Sequence, residues 1–514
     1  MQNRHNPKSQ FFTISMDQFH PPAPPCTGRR IYDLLRAQIA DGTLAAGARA
    51  PSTRALATDL GVSRTTVTAA YEQLAAEGFL VTAPGRAARV ALAPAAVARP
   101  RAADPGGGGP PAPALSAFGQ RLAGMDLPAL PAAEPARIDF LYGAVASRDF
   151  PALAWRRAYQ AELLRHQHSL CYIPPEGDAA LRRAIQGYLR RARGLACDTG
   201  QILVVHGSQQ GIDLCARLLL DAGDTFAFEE PGYLMARRCF EATGAGLRAV
   251  PVDAHGLDTV QLPEDGRVRL AYVTPSHQFP LGGVLPIGRR MALLQWAQRH
   301  RAWIVEDDYD GEFRYGQRPI DALQSIDPDG RVIYMGTFSK ALSPQLRLGY
   351  LVLPTALVAV FRQAKRMADR HAPVLEQRTL AALIETGAYE RHVRRTRREH
   401  ERRRAALADA VARHLPPTAE LAGTAAGLHG VLWLPFLRPQ DEPALAEAAR
   451  AQGVGIYPVS PLFADAQRGG PARPGGWVLG YASLTVEQIE QGIRILGRIV
   501  AAWGAGAPAP VPPR

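Results

Sequence analysis

One stretch of this chain cannot fold by itself, and it divides everything else. From Ala93 to about residue 137 the sequence passes through Pro105-Gly-Gly-Gly-Gly-Pro-Pro-Ala-Pro113 and many alanines. Glycine loses the most entropy on ordering, proline removes backbone donors, and the segment has little apolar surface to repay either cost, so it reads as a tether. The full 514 residues exceed what one hydrophobic core usually serves. Independent units are therefore expected on either side, over 27–92 and over 138–514.

Composition narrows the class. With 47% apolar and 21% charged residues the chain is ordinary for a globular protein, and it has no apolar run of membrane-spanning length. Met1–His20 carries polar residues throughout, without the apolar core of a secretory leader, so a cytoplasmic protein is expected. Cys26, Cys171, Cys197, Cys215 and Cys239 contain no CxxC pair; neither a zinc site nor a disulfide framework is expected, and the thiols read as buried or idle. A formal charge of +12 suits a polyanionic partner, but an arginine-rich composition produces the same number without one.

The first unit has a helical texture. Apolar residues recur at helical spacing from Ile31 to Ile39, and Asp41-Gly-Thr-Leu44 and Gly47 then break the pattern. Ser52 can cap a second helix running to Leu60, Gly61 supplies a left-handed turn, and Ser63 can cap a third helix through Ala76 with Val67, Ala70, Tyr71 and Leu74 on one face. Helix, glycine turn, helix at this spacing is a helix-turn-helix signature, and Phe79–Val81 with Arg86–Val90 reads as a short wing. The third helix would present Ser63, Arg64, Thr65, Thr66 and Thr68 to phosphates and base edges, with Arg49 and Arg54 placed to grip the backbone and Arg86 at the wing tip. The alternative is a small bundle capping the larger unit with solvated arginines.

Beyond Ile138 short apolar runs alternate with amphipathic stretches. Gln201–His206, Thr225–Glu229, Arg269–Thr274 and Trp303–Asp307 read as buried strands of a mainly parallel α/β sheet, and Gly423–Trp503 mixes strand and helix in what reads as a smaller lobe. Four segments at the ends of these runs carry chemistry. Lys340 leaves the strand Val332–Gly336 in Gly336-Thr-Phe-Ser-Lys340, and Arg347 follows seven residues later. Asp307 ends another strand with Tyr309 two residues on; Asp308 and Asp310 are rivals, and strand alternation favours Asp307. Gly207-Ser-Gln-Gln210 opens a helix after Gln201–His206, where backbone N–H groups can cradle a phosphate. Tyr233, in Glu229-Glu-Pro-Gly-Tyr233, can stack on an aromatic ring.

An imine-forming amine, a carboxylate for a pyridinium nitrogen, a donor for a ring oxygen and a phosphate cup are what pyridoxal 5'-phosphate (PLP) demands of a protein. Lys340, Asp307, Tyr309 and the group Ser208, Gln209, Thr337 and Arg347 supply one candidate each. Only three of the 59 basic residues are lysines (Lys8, Lys340, Lys365), which makes a lysine at this strand exit suggestive.

These motifs carry two resemblances. The run Leu44…Gly47…Pro51-Ser-Thr-Arg-Ala-Leu-Ala57…Leu60-Gly-Val-Ser-Arg-Thr-Thr-Val67…Ala70-Tyr-Glu-Gln-Leu74…Glu77-Gly-Phe-Leu80 resembles the GntR-family winged helix, which implies DNA contacts at Arg54, Arg64, Thr65 and Thr66, with Arg49, Ser52, Ser63 and Arg86 beside them. The wing tip, Gly85-Arg-Ala-Ala-Arg89, departs from the family's glycine-rich pattern. Residues from Ile138 to Ile499 resemble fold-type I PLP enzymes of the aminotransferase class, through Tyr172…Gly177…Leu181-Arg182, Thr274-Pro-Ser-His-Gln-Phe-Pro280…Gly282 and Glu306-Asp-Asp-Tyr-Asp310…Glu312-Phe-Arg314. Together the architecture resembles the MocR/GabR subfamily of GntR regulators. The resemblance implies a homodimer in which Tyr172 reaches the neighbouring subunit's phosphate, and puts His277 and Gln278 where aminotransferases commonly carry an Asn-Pro pair beside the ring oxygen.

Two functions from different classes follow: a regulator binding an operator duplex and sensing PLP or an amino compound, with at most a vestigial half-reaction, or a working aminotransferase with an accessory DNA-binding domain. Aminotransferases usually hold the substrate carboxylate with an arginine's planar fork. Val478 occupies the expected position, and Met235 stands where relatives sensing gamma-aminobutyrate carry a second arginine; Arg237, Arg238 or Arg314 are possible substitutes. The regulator is favoured. The segment from Glu390 to Arg404 holds eight arginines, and it reads either as a solvated helix face partly paired with Glu399 and Glu401 or as a second phosphate-backbone contact.

Overall fold

The computed structural model of the protein describes residues 27–83, 86–91, 114–127, 136–166, 171–316, 320–464 and 473–504. Met1–His20 with its Lys8, Cys26, Gly85 of the wing tip and Pro105–Pro113 lie outside the described residues. The chain divides into two compact units, Met1–Ala114 and Leu115–Arg514.

In the first unit, helices α1 (Thr27–Ala40), α2 (Thr53–Asp59) and α3 (Arg64–Ala76) precede an antiparallel pair, β1 (Leu80–Val81) and β2 (Arg89–Val90). Side chains that satisfy orphan backbone groups set the helix starts. Ser52 Oγ accepts the Ala55 N–H at 3.1 Å, and Ser63 Oγ accepts the Thr66 N–H at 3.2 Å. Between them Gly61 sits at φ +62°, a conformation costly for any other residue. The apolar face Val67, Ala70, Tyr71 and Leu74 is buried, with Ile31, Tyr32, Leu35, Leu56 and Val90 in the same core. Tyr71 also donates its hydroxyl to the Pro51 carbonyl at 2.8 Å, which ties α3 to the entrance of α2.

The second unit opens with α4 (Ala117–Ala123), β3 (Ile138–Asp139), α5 (Ala152–Leu163) and α6 (Ala179–Ala192). Its body is an eight-stranded sheet: β4 (Ile202–Val205), β5 (Thr225–Glu230), β6 (Gly246–Asp253), β7 (Gly256–Leu257), β8 (Val268–Val273), β9 (Trp303–Asp308), β10 (Val332–Thr337) and β11 (Gly349–Val352). The spatial order is β4-β11-β10-β9-β8-β5-β6-β7. The pairs β10/β9, β9/β8, β8/β5 and β5/β6 are parallel, as the sequence predicts, while β11 is antiparallel to both neighbours and β7 to β6. Helices α7 (Gly207–Leu219), α8 (Leu234–Ala242) and α9 (Ile287–His300) join the strands, and α10 (Val358–Ala368), α11 (Val374–Glu385) and α12 (Ala388–His414) follow. Apolar clusters pack on both sides of the sheet, which is why its strands read as continuous apolar runs rather than alternating ones.

A smaller lobe ends the chain, with β12 (Glu420–Ala422), β13 (His429–Leu434), α13 (Glu442–Ala451), β14 (Val454–Gly455), β15 (Tyr457–Pro458), β16 (Gly475–Gly480) and α14 (Val486–Gly504). It is not built from the last hundred residues alone: β3 pairs with β14, so the start of the unit belongs to this lobe. Among the described residues no helix is long and apolar enough to cross a membrane.

Two expectations change. The arginine-rich segment lies on α12, and neither alternative describes it whole. Arg403 is buried and bonded to Asp149 and the Ala482 carbonyl, Arg397 donates to the Glu312 carbonyl, Arg404 to that of Thr424 and Arg395 to that of Asp149. Half of the eight therefore stitch α12 to its neighbours, while Arg394, Arg398 and Arg402 remain exposed. Part of the supposed tether is also structured. Ser116 caps α4, and Arg121 donates to the Ala242 and Thr243 carbonyls at 2.7 and 2.8 Å, occupying orphan acceptors at the C-terminal end of α8. An arginine anchor explains why apolar content gave no sign of it. Arg121→Ala is expected to raise amide hydrogen exchange across α4 by about tenfold or more while leaving the sheet protected; unchanged exchange in α4 would show that the anchor does not hold it.

Candidate functional site

The exposed end of α3 gathers the residues expected to meet DNA. Arg49, Arg54, Arg64, Thr65 and Arg86 are exposed, and Thr66 is half-buried. Ser52 and Ser63 are spent in part on their caps, and the Ser63 hydroxyl lies 2.7 Å from both Thr65 Oγ1 and Thr66 Oγ1, which locks the first turn of α3. Arg49 bridges to Arg89, and Arg89 donates to the Gly47 carbonyl at 2.9 Å, so the base of the wing is fastened to the loop after α1.

The second site follows from topology. Strands β4, β5, β8, β9 and β10 run the same way, so their carboxyl ends share one edge of the sheet, where open α/β sheets form ligand crevices. A cavity of about 410 Å³ opens there, lined by Ser208, Gln209, Tyr233, Thr274, Tyr309, Thr337, Ser339, Lys340 and Arg347, with Tyr142, Gly143, Phe279, Leu428 and His429 across from them. Seven of the sequence-predicted residues thus converge: Lys340, Tyr309, Ser208, Gln209, Tyr233, Thr337 and Arg347.

At one end Gly207 (φ +69°) and the start of α7 meet the Arg347 guanidinium. A Cβ at Gly207 would lie 2.8 Å from Arg347 Nη2, so only glycine allows this approach. Arg347, itself left-handed at φ +51°, donates to the His206 carbonyl at 2.9 Å. Thr337 and Ser339 hydroxyls lie 3.0 Å apart on the same wall. Free N–H groups, hydroxyls and a guanidinium together make a cup for a phosphate dianion.

Asp307, near the carboxyl end of β9, does not itself line the cavity; it is buried and accepts the Tyr272 hydroxyl on Oδ2, while Oδ1 has no partner. Its neighbours already face cationic or basic groups: Asp308 pairs with Arg193 at 2.6 Å and accepts from Tyr334 at 2.5 Å, although its Oδ1 is also without a partner, and Asp310 lies 2.9 Å from His277. Burial, with Asp308 and Asp310 adding to it against the Tyr272 hydrogen bond, raises the Asp307 carboxyl to about 7. A buried carboxylate with an orphaned oxygen lacks a cationic N–H donor, and a protonated pyridine nitrogen is such a donor. The residues present therefore fit PLP, with Lys340 to receive its aldehyde and the cup its phosphate. Lys340 Nζ donates to the Gly143 carbonyl at 2.9 Å, and burial lowers its pKa against the opposing pull of Asp310 and Asp307.

His277 does not line the cavity, contrary to the expectation of direct contact. It stands behind Tyr309, 2.9 Å from that hydroxyl, with its other nitrogen toward the Gly423 carbonyl at 3.3 Å. Burial pushes the His277 imidazole down, but Asp310 and Gly423 outweigh it and hold it above its usual range. The single Nδ1 proton of His277 is shared between the Asp310 carboxylate and the Tyr309 oxygen, each 2.9 Å away, while a protonated Nε2 donates to the Gly423 carbonyl. The residues of this segment that line the cavity are Thr274 and Phe279, the latter edge-on to Tyr309 at 6.0 Å. Tyr172 lies in another groove with Arg362 and Arg366, 72% exposed, under the Arg370 guanidinium. Of the described thiols Cys215 is buried, Cys197 and Cys239 are partly buried and Cys171 is exposed; among the described residues no cluster could hold a metal.

Sequence reasoning missed Ser339, Tyr142, Gly143 and His429. Ser339 sits inside the lysine motif; the others arrive from distant segments with no local signal. His429 is pushed down to about 4 by burial and by His277, so this wall is uncharged. The substitute anchors are occupied: Arg237 faces the Leu462 and Pro461 carbonyls, Arg238 pairs with Glu241 at 2.9 Å, and Arg314 donates to the Ser276 carbonyl. Val478 is buried in an apolar cluster with Leu234, Phe279, Val431, Val459 and Leu462.

Residues 143–495 match the family of class I and II aminotransferases, and residues 27–90 match the bacterial regulatory proteins of the gntR family. Over 472 residues the chain is 38% identical to the probable rhizopine catabolism regulatory protein MocR of Rhizobium meliloti, covering 91% of this chain and 92% of that one. The chain belongs to the MocR/GabR-type subfamily of GntR transcription regulators. This MocR-type chain is also 32% identical over 469 residues to the pyridoxine biosynthesis transcriptional regulator PdxR of Corynebacterium glutamicum, covering 90% and 94% of the two chains. Its second unit resembles the crystal structure of LysN, the alpha-aminoadipate aminotransferase of Thermus thermophilus complexed with N-(5'-phosphopyridoxyl)-L-leucine, at 29% identity and a TM-score of 0.64, over 76% of this chain and 96% of that one.

The raised carboxyl of Asp307 has a consequence for stability. A folded pKa of about 7 against 3.8 unfolded means that the stabilising protonated form is complete below about pH 4, and its contribution is lost as pH rises to 7. Asp307→Asn in the cofactor-free MocR-type protein is expected to melt higher than wild type at pH 8, by on the order of a few kcal/mol, with no such advantage at pH 4. Equal offsets at both pH values would show that Asp307 is not the titrating group.

Proposed function

We propose that this chain is a PLP-binding transcription regulator: its winged helix binds an operator duplex, and its aminotransferase-like unit senses PLP or an amino compound. The observation that carries the reading is the convergence of Lys340, Tyr309 and the Arg347 cup on one cavity, with the orphaned Asp307 oxygen two residues from Tyr309, in a chain that also holds a winged helix. When bound, PLP supplies an aldehyde that reacts with primary amines. Burial of Lys340 raises the fraction of its side chain that is an unprotonated nucleophile. Asp307 holds a proton at the ring nitrogen, Tyr309 donates to the ring oxygen under the control of His277, and Tyr233 covers a ring face. Ser208, Gln209, Thr337 and Arg347 bind the phosphate, and Tyr172 reaches that of the partner subunit in a homodimer. Arg49, Ser52, Arg54, Ser63, Arg64, Thr65, Thr66 and Arg86 meet the duplex, which puts the protein in the cytoplasm.

The alternative, a working aminotransferase with an accessory DNA-binding domain, is weaker. Among the described residues Arg347 is the one guanidinium lining the cavity, and the cup employs it. An apolar, uncharged wall of Tyr142, Phe279, Leu428 and His429 suits an effector bound through its amine, or PLP itself, better than rapid turnover of an amino acid held by its carboxylate.

The purified protein is expected to absorb visible light with PLP and to be labelled covalently on borohydride treatment; labelling that persists in Lys340→Ala would overturn the cofactor assignment. Arg64→Ala is expected to weaken operator binding by about 1–3 kcal/mol if the side chain reads a base, and an undiminished affinity would remove that role. Titration of PLP and candidate amines against DNA affinity separates the two functions. A true effector changes DNA affinity by the same factor by which DNA changes effector affinity, and the absence of coupling would favour the enzyme.

A further inference from the structure

Lys365 is one of three lysines in the chain, and neither the DNA face nor the cavity uses it. Its side chain is 0% exposed on α10, where a charge is costly to bury. Nζ donates to both oxygens of Asp369, at 2.6 and 2.7 Å. Asp369 Oδ2 in turn accepts the Gln210 amide at 2.8 Å and lies 3.1 Å from His206 Nε2. Gln210 closes the circuit by accepting the His206 backbone N–H at 2.9 Å, and the His206 carbonyl takes Arg347 Nη2 at 2.9 Å. The chain of contacts thus runs from a buried ammonium to the two features that form the cup, the Gly207 turn and the Arg347 guanidinium. A compact ammonium with three donors fits this enclosed place; the larger planar fork of arginine, abundant everywhere else in the chain, does not substitute for it.

We propose that the Lys365–Asp369 ion pair is a positioning device for the phosphate end of the cofactor: it holds Gln210 and His206, and through them the start of α7 and Arg347, in the arrangement that receives a phosphate dianion. The inference rests on the reading of the cavity as a PLP site. Neither residue touches the ligand. Each acts through groups that do, so the contribution falls on the phosphate and not on the aldehyde, which Lys340 meets.

The test compares PLP with pyridoxal, which keeps the aldehyde and lacks the phosphate, by absorbance titration of the full-length cofactor-free protein. Lys365→Met, Asp369→Asn and Gln210→Met are each expected to weaken PLP binding by about tenfold or more and to change pyridoxal binding by less than about twofold. Gln210 is partly exposed, so Gln210→Met keeps the comparison available if removing the buried ammonium prevents folding. Equal losses for both ligands, or PLP binding unchanged in folded variants, would mean that the pair only stabilises α10 against α7, and the inference falls. Wild-type protein that binds neither ligand overturns the cofactor reading itself, and the inference with it.

Discussion

The parallel pairing of β9 with β10 is the constraint on which the second unit's chemistry depends. Asp307 stands opposite Met335 and Asp308 opposite Gly336, so β9 delivers its carboxylates just where β10 turns out toward Lys340. Alternation of side chains sends consecutive aspartates to opposite faces. Asp307 goes to Tyr272, and Asp308 to Arg193 and Tyr334. A slip of one residue would exchange the two and put the arginine-paired carboxylate where a pyridinium partner is needed. Apart from Trp303 at the start of β9, these two central strands are buried along their length, so the apolar core holds the register that the site requires.

Around the site the charges are arranged by end. The cup concentrates positive groups: Arg347 and the start of α7, supported from behind by His206 and Lys365. The end of β9 concentrates carboxylates, of which Asp308 pairs with Arg193 and Asp310 with His277, while Asp307 accepts only a hydroxyl and keeps an unpartnered oxygen. The far wall is aromatic and uncharged, with Phe279 and Val478 packed in one apolar cluster. An elongated ligand with a dianion at one end and a cationic ring nitrogen in the middle satisfies both charged ends, and each half-satisfied group costs less once it is bound.

Much of this was legible in the sequence because the groups ride on local motifs at strand ends. Lys340, Asp307, Tyr309, Arg347 and Ser208 were readable because a chemical residue type directly follows an apolar run. The same holds for Ser52, Gly61 and Ser63, whose helix-capping chemistry is decided within four residues. His277 was misplaced because Ser276, His277, Gln278 and Phe279 form a tight turn whose neighbouring side chains point to different partners: Arg193, Asp310, the Pro231 carbonyl and the cavity. No periodicity distinguishes them. The helix inside the supposed tether was hidden for a related reason, since Arg121 anchors it to carbonyls more than a hundred residues away.

The sequence by itself determined the two-unit plan, the capped helices of the winged helix, the parallel α/β sheet and the amine, carboxylate and guanidinium at its edge, because those properties follow from backbone propensity, burial pattern and motifs spanning a few residues. Tertiary structure alone decided that Gly143 and His429 close the cavity, that Phe279 faces it while His277 stands behind Tyr309, that half the arginines of α12 stitch the fold together, and that Lys365 supports the cup. Each of these is a contact between segments distant along the chain, and proximity of that kind is set by packing the whole core rather than by any stretch of sequence.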